Sequence, residues 1–512
     1  MKRCKYLFLF TISLLLFCSG FSQNLELPRI SKSKLKEHVE FLAADSLQGR
    51  SFAGNSRALD VAADYLEEEI GQMGLHFEGN SYSQQFELFV SERDEENSLL
   101  KVVFQGKEQV FGSDDFFVVN QKAKEVRVDG KPFVAGFGLN TDNSNYDSVS
   151  SSVLKDRVVL VSVGTPESFA GTSPSYWDNK LEKDKTDLVF DAGARTVILV
   201  TGVRDRNDEI FREIAQWANQ RKYSLDKNVS EDEITLVIAK PRVADAILGG
   251  KGRWKKALRK TVRKESVVPV ESAGDIRLSS VRKVDELEGR NVIGIVEGTD
   301  SVLRNECVVF MAHYDHLGVT KTGEIFNGAD DNASGTSTLL EVARAFSVSK
   351  EKPKRSIVFL WVTAEEVGLI GSEFYSRNPV FPMKSTVACV NLDMVGRVYE
   401  PRDSVWNHSP KVVKPFHEIY ALVNNFDPSL PEITGSACER LELTPDFSLP
   451  ENFFYSSDHY NFHRNEVPIL NLSTGYTADY HLPTDDVERI NFDKMKKVAE
   501  LCYLVGWQLA NR

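Results

Sequence analysis

The chain has 512 residues, 42% hydrophobic and 27% charged, with a formal net charge of −12. That length exceeds what one hydrophobic core usually supports, so two domains are expected, each of ordinary globular composition. The acidic balance excludes nucleic acid as a partner, because phosphate binding needs a basic footprint.

Lys2, Arg3 and Lys5 precede an apolar run from Tyr6 to Phe17, followed by Gly20-Phe-Ser22. The run is too short for a stable membrane span. Charged start, apolar stretch and small residues at alternate positions read as a signal for export, removed after residue 22. The protein is therefore expected to be periplasmic or secreted. Cys18 offers lipoprotein anchoring as a lesser alternative, since Phe17 stands where lipid attachment normally has a small residue. Removing residues 1–22 takes away three positive charges and no acid, which moves the charge to −15. No other stretch approaches transmembrane length. Cys307, Cys389, Cys438 and Cys502 remain, without close spacing, so two disulfides and buried free thiols are both open.

Residues 23–88 read as an N-terminal helical part. Leu35, Val39 and Leu42 share one face of a helix over 33–44, and the periodicity from Ala58 to Met73 predicts a second over 56–73, stopped by Gly74. Gly49-Arg-Ser-Phe-Ala-Gly54 forms a loop between them. Residues 89–274 change to short apolar stretches such as Val158-Val-Leu-Val-Ser-Val, separated by turn-rich sequence including 141–147. They predict an inserted, smaller, mainly β domain with a helix or two. The eight Lys and Arg between 251 and 264 alternate with Trp254, Leu258 and Val262, as on the solvated face of an amphipathic helix.

Residues 275–512 alternate strand and helix. The apolar runs 307–312, 357–362, 387–392 and 467–472 are continuous, as in strands buried on both faces. Helices are expected over 334–346 and 492–509. The fold class is α/β, with a mostly parallel central sheet covered by helices on both faces.

The chemistry is concentrated here. Seven of the nine histidines lie between 313 and 481. The segments His313-Tyr-Asp315-His316, Glu365-Glu366, Asp393 and His481 each follow a predicted strand, and Gly328-Ala-Asp330-Asp331-Asn-Ala-Ser-Gly335 precedes a helix. Ligands of open α/β sheets bind outside the carboxyl ends of strands, so the sheet gathers these residues along one edge. Singly, each has a plain structural role: an aspartate before a helix is usually a cap, and Asp331 fits that description. Carboxylates and imidazoles at five strand edges together point to divalent metal ions.

In this order, the five segments resemble peptidase family M28, cocatalytic zinc peptidases that are mostly aminopeptidases. The resemblance extends over residues 275–512, and the helices around Gly49-Arg50 are similar to the family's N-terminal portion. The β-rich insertion resembles a protease-associated (PA) domain, whose partner the sequence does not identify. By position, the resemblance implies that two Zn2+ per chain are bridged by Asp330, with His313 and Asp393 completing one site and Glu366 and His481 the other. His316 competes with His313 for the ligand role. Glu365 matches the general base, acting on a zinc-activated water. Asp315 would orient His313; Asp458, in Tyr455-Ser-Ser-Asp-His459, matches a segment near the cleft; Tyr455 or Tyr480 would donate to a developing oxyanion. The implied function is removal of N-terminal residues from peptide substrates. The alternatives are a single-zinc glutaminyl cyclase and a carboxypeptidase or dipeptidase of the same fold.

Overall fold

The computed structural model describes residues 25–52, 56–75, 77, 81–121, 123–139, 149, 152–166, 178–202, 208–227, 234–263 and 269–512. The export signal with Cys18 and the 141–147 turn lie outside the described residues. The chain divides into two compact units, one of residues 1–87 with 288–512 and one of residues 88–287.

In the first unit, helix α1 (Lys32–Leu42) begins where the Ser31 side chain accepts a hydrogen bond from the Lys34 N–H, and it buries Leu35, Val39 and Leu42. Helix α2 (Ser56–Gln72) ends just before Gly74, whose φ of +71° is the left-handed stop that a side chain would strain. The sheet comprises β1 (the end of Asp275–Val296), β2 (Cys307–His313), β3 (Ser356–Val362), β4 (Thr386–Leu392), β5 (Glu418–Val423), β6 (Thr444–Asp446) and β7 (Ile469–Ser473), in the order β6-β5-β7-β4-β2-β3-β1. Strands β3, β2, β4 and β7 run parallel; β1 lies antiparallel to β3 and β5 antiparallel to β7, while β6 runs parallel to β5.

Alternation along β2 and β3 sends successive side chains to opposite faces. Phe310 and Phe359 meet Phe346 of helix α3 (Gly335–Val348), which in turn stacks on Trp507 of the C-terminal helix Phe492–Asn511. Val309, Met311, Val358 and Leu360 enter the opposite core with Tyr375 and Phe462. Both faces are covered, which explains why β2 and β3 read as unbroken apolar runs.

The second unit differs from its expected character. Among the described residues it holds four helices, Asn179–Asp191, Asp208–Ala218, Pro241–Ile247 and Arg253–Arg263. Its six-stranded sheet pairs Val158–Ser162, Thr196–Val200 and Thr235–Ala239 in parallel. Its strands still outnumber its helices among the described residues, but it carries four helices where one or two were expected. The strongly polar composition of 179–191 hid its helical periodicity. The unit also extends past the expected end at 274, because strand Asp275–Val296 continues within it to residue 287. Trp254 and Leu258 are buried under the basic helix, whose lysines form its outer face.

Cys307, Cys389, Cys438 and Cys502 are buried free thiols. No helix among the described residues is long and apolar enough to cross a membrane.

Gly335 opens α3 against the end of β4, and a Cβ there would meet Asn332 Oδ1 at 2.3 Å and the Leu392 carbonyl oxygen at 2.5 Å. Gly335→Ala is expected to cost about 1–3 kcal/mol by overpacking, read as a lowered Tm in a thermal melt.

Candidate metal centre

The parallel strands deliver their carboxyl ends to one edge, and the site is built there from unit-one residues alone. His313 is the last residue of β2; Glu365 and Glu366 follow β3; Asp393 follows β4; His481 lies in the loop after β7. The turns are tight enough to place Ala364, Met394 and His481 at φ of +58°, +58° and +56°. Left-handed backbone in non-glycine residues is held only where surrounding contacts insist on it. Here the Ala364 carbonyl accepts from Ile370 N–H and the Met394 carbonyl from Thr474 N–H.

Asp331 occupies the centre. One of its carboxylate oxygens lies 3.4 Å from His313 Nε2 and the other 3.1 Å from His481 Nε2. Asp393 Oδ1 is 3.5 Å from His313 Nε2, and Glu366 Oε2 is 3.6 Å from His481 Nε2. The arrangement is two imidazole–carboxylate pairs joined by a shared carboxylate. Glu365 groups with His313 and Asp393.

The shared carboxylate is thus Asp331, one residue on from the expected Asp330. Asp330 turns away: its Oδ1 accepts from Gly396 N–H at 2.7 Å, beside Asp485 and Arg397. The physical reason lies in the loop's anchoring. Asp485 accepts from the backbone N–H groups of both Asp330 and Asp331, while Asn332 donates to the Leu392 carbonyl and accepts from Gly335 and Met394 N–H. Held at both ends, the loop aims one aspartate inward and its neighbour outward.

Asp315 accepts from the Glu365 and Glu366 N–H groups at 3.1 and 3.3 Å, and its backbone carbonyl faces His313 Nδ1 at 3.2 Å. It therefore sets the glutamate turn as well as lying beside His313. His316 also belongs to the site, with Nδ1 2.7 Å from Glu366 Oε1. Burial depresses its pKa to about 3, so it is a neutral imidazole. Tyr480 stacks on His481 with centroids 3.9 Å apart. Tyr455 is 65% exposed and packs on Tyr460, so Tyr480 is the tyrosine beside the centre. Asp458 is buried, and desolvation lifts its carboxyl to about 7.

The electrostatics are those of a crowded anionic pocket. Desolvation opposes protonation of His313, but Glu365 and Asp393 outweigh it and hold its pKa well above the ordinary value. Desolvation pushes Glu365 far up despite His313, and Asp458 and Asp393 add to the rise. Among the described residues, Asp393 Oδ1 and His316 Nε2 are buried without a hydrogen-bond partner. Carboxylate and imidazole donors facing one another across gaps of 3.1–3.6 Å, with orphaned donor atoms among them, fit divalent cations of the zinc kind.

Two buried arginines balance the acids, and neither was singled out in the sequence as a site residue. Arg50 donates to the carbonyls of Tyr314, Leu42, Asn327 and Gly328. Arg397 donates to Asp479 at 3.0 Å and lies 3.8 Å from Asp485.

The sequence model of peptidase family M28 matches residues 291–505. Over this segment the chain is similar to peptidase family M28. Over 220 residues the chain is 30% identical to aminopeptidase YwaD of Bacillus subtilis, covering 41% of this chain and 43% of that protein. It is 28% identical over 216 residues to leucine aminopeptidase 1 of Sclerotinia sclerotiorum, covering 40% and 53%. The chain thus spans about half the length of the curated relatives it matches. The solved structure of an aminopeptidase from Aneurinibacillus sp. strain AM-1 shares the fold, with a TM-score of 0.52 and 19% identity over 94% of this chain and 95% of that one. The M28 segment contains every site residue named above except Arg50.

Arg397→Met would leave Asp485 buried without its cation and Asp479 with Arg402 alone, and breaking such a pair costs about 3–5 kcal/mol. The expected outcome is a variant with strongly lowered Tm, checked by thermal and urea unfolding.

Proposed function

We propose that the protein is an exported metallopeptidase that binds two zinc ions and removes N-terminal residues from peptides. The observation that carries this reading is the Asp331 carboxylate set between His313 and His481, with Asp393 on one side and Glu366 on the other. His313, Asp331 and Asp393 would hold one ion, and His481, Asp331 and Glu366 the other, with His316 orienting Glu366. Zinc bound there supplies Lewis-acid polarisation of a carbonyl and a water that ionises near neutral pH.

The remaining work falls to the chain's own residues. Glu365, in the same cluster as His313 and Asp393, accepts the proton of the attacking water on its carboxylate and returns it to the leaving amine. Asp315 keeps the Glu365–Glu366 turn in place through two N–H bonds. Tyr480, stacked on His481, would donate its hydroxyl to the developing oxyanion. The curated relatives named as aminopeptidases favour an unblocked N-terminus as the recognised feature. A one-ion glutaminyl cyclase would leave either the His313–Asp393 pair or the His481–Glu366 pair without a metal to hold, so the donor set favours the two-ion peptidase. The unit of residues 88–287 is proposed as the PA-like insertion.

Three measurements test this. Elemental analysis should find Asp331→Asn depleted in both ions together, while Asp330→Asn keeps a content near wild type; loss of a single ion from Asp331→Asn overturns the bridge. Glu365→Gln should retain metal and lose about 10²–10⁴ in kcat. Chelator-sensitive cleavage of free peptides but not of N-acetylated ones checks the exopeptidase assignment.

A further inference from the structure

Lys411 is only 2% exposed, and an ammonium at that depth is normally paired. Its backbone is fixed: its N–H donates to Ser409 Oγ at 3.2 Å, and its carbonyl accepts from Tyr476 N–H at 2.7 Å. Among the described residues its Nζ makes no hydrogen bond or ion pair; what it meets is the face of Tyr476, 4.8 Å from the ring centroid. Tyr476 stacks on Tyr480 at 4.5 Å, and Tyr480 stacks on His481 at 3.9 Å. Trp406 packs against both tyrosines. The lysine is therefore held against an aromatic wall whose far end is a residue of the metal centre. Its charge reaches Asp393, whose carboxyl it helps to lower, and His459.

A π face softens the burial of a cation without satisfying its three N–H donors. Asp393 is an acid within its field, and that carboxylate is committed to the metal centre. What remains is a cation that makes no ion pair among the described residues, held against the aromatic wall near the acids of the metal centre. Such a charge discriminates strongly between a carboxylate and its amide, because low surrounding dielectric magnifies the difference.

We propose that Lys411 is the substrate-carboxylate receptor of this cleft, so that the enzyme prefers peptides presenting a carboxylate near the scissile bond. Two sources fit the chemistry: an acidic N-terminal side chain, or the C-terminal carboxylate of a dipeptide. The inference rests on the peptidase reading above, and it assigns that site a substrate class.

The experiment uses the full-length, zinc-supplemented protein and matched pairs: Glu-Ala-amide against Gln-Ala-amide for the side chain, and Leu-Ala against Leu-Ala-amide for the C-terminus. Wild type should favour the carboxylate member of one pair at least tenfold in kcat/KM, mainly through KM. Lys411→Met, which keeps the apolar stem over Tyr476, should bring that ratio to about one, and Lys411→Arg should restore most of it. A lysine that merely packs on the ring would give the same ratio in all three proteins, and that result overturns the proposal. Calorimetric binding of each pair to Glu365→Gln, with and without Lys411→Met, separates the two readings. Carboxylate-selective binding lost with Lys411, in a protein that hydrolyses nothing, would sustain the lysine's role while refuting the peptidase. Equal binding of acid and amide would refute the role of Lys411.

Discussion

Mutual repulsion among buried carboxylates is the constraint around which the first unit is organised. Asp315, Asp331, Glu365, Glu366, Asp393 and Asp458 converge at one sheet edge, with desolvation and each other's charge raising the pKa of several of them. Such a cluster persists only with compensation. Backbone N–H groups supply part of it, at Asp315 and Asp485; two buried arginines supply another part; divalent cations between the imidazoles and carboxylates would supply the rest.

The same constraint explains why the scaffold is rigid where it is. Strands β2 and β3 are buried along their whole length and β4 at all but Val387, and they stop within a few residues of the side chains they deliver. Left-handed turns at Ala364 and Met394 redirect the chain immediately afterwards, and Asn332 ties the Asp331 loop to the end of β4. A site whose donors must sit within a few tenths of an ångström is carried on elements that cannot drift.

Away from the acids the cleft changes character. Trp406, Tyr476 and Tyr480 form an aromatic wall ending at His481, with Lys411 beneath it. One side of the site is thus anionic and metal-seeking, the other apolar with a single cation.

Much of this was legible in the amino-acid order. Continuous apolar runs located β2, β3, β4 and β7 to within two residues, because strands buried on both faces leave no alternative composition. Polar residues at their ends marked the edge that gathers His313, Glu365, Glu366, Asp393 and His481. The helix Asn179–Asp191 escaped notice, since its strongly polar sequence leaves little apolar periodicity to read. Which of two adjacent aspartates faces the histidines was likewise beyond sequence spacing. Asp330 and Asp331 are chemically identical and one residue apart, and only the hydrogen bonds from Asp485, Gly396 and Asn332, which come from segments 60 or more residues away or from the turn itself, aim one inward and the other outward. The sequence by itself determined which donor types exist and which strand ends carry them; tertiary structure decided direction, because direction depends on partners that only folding brings together.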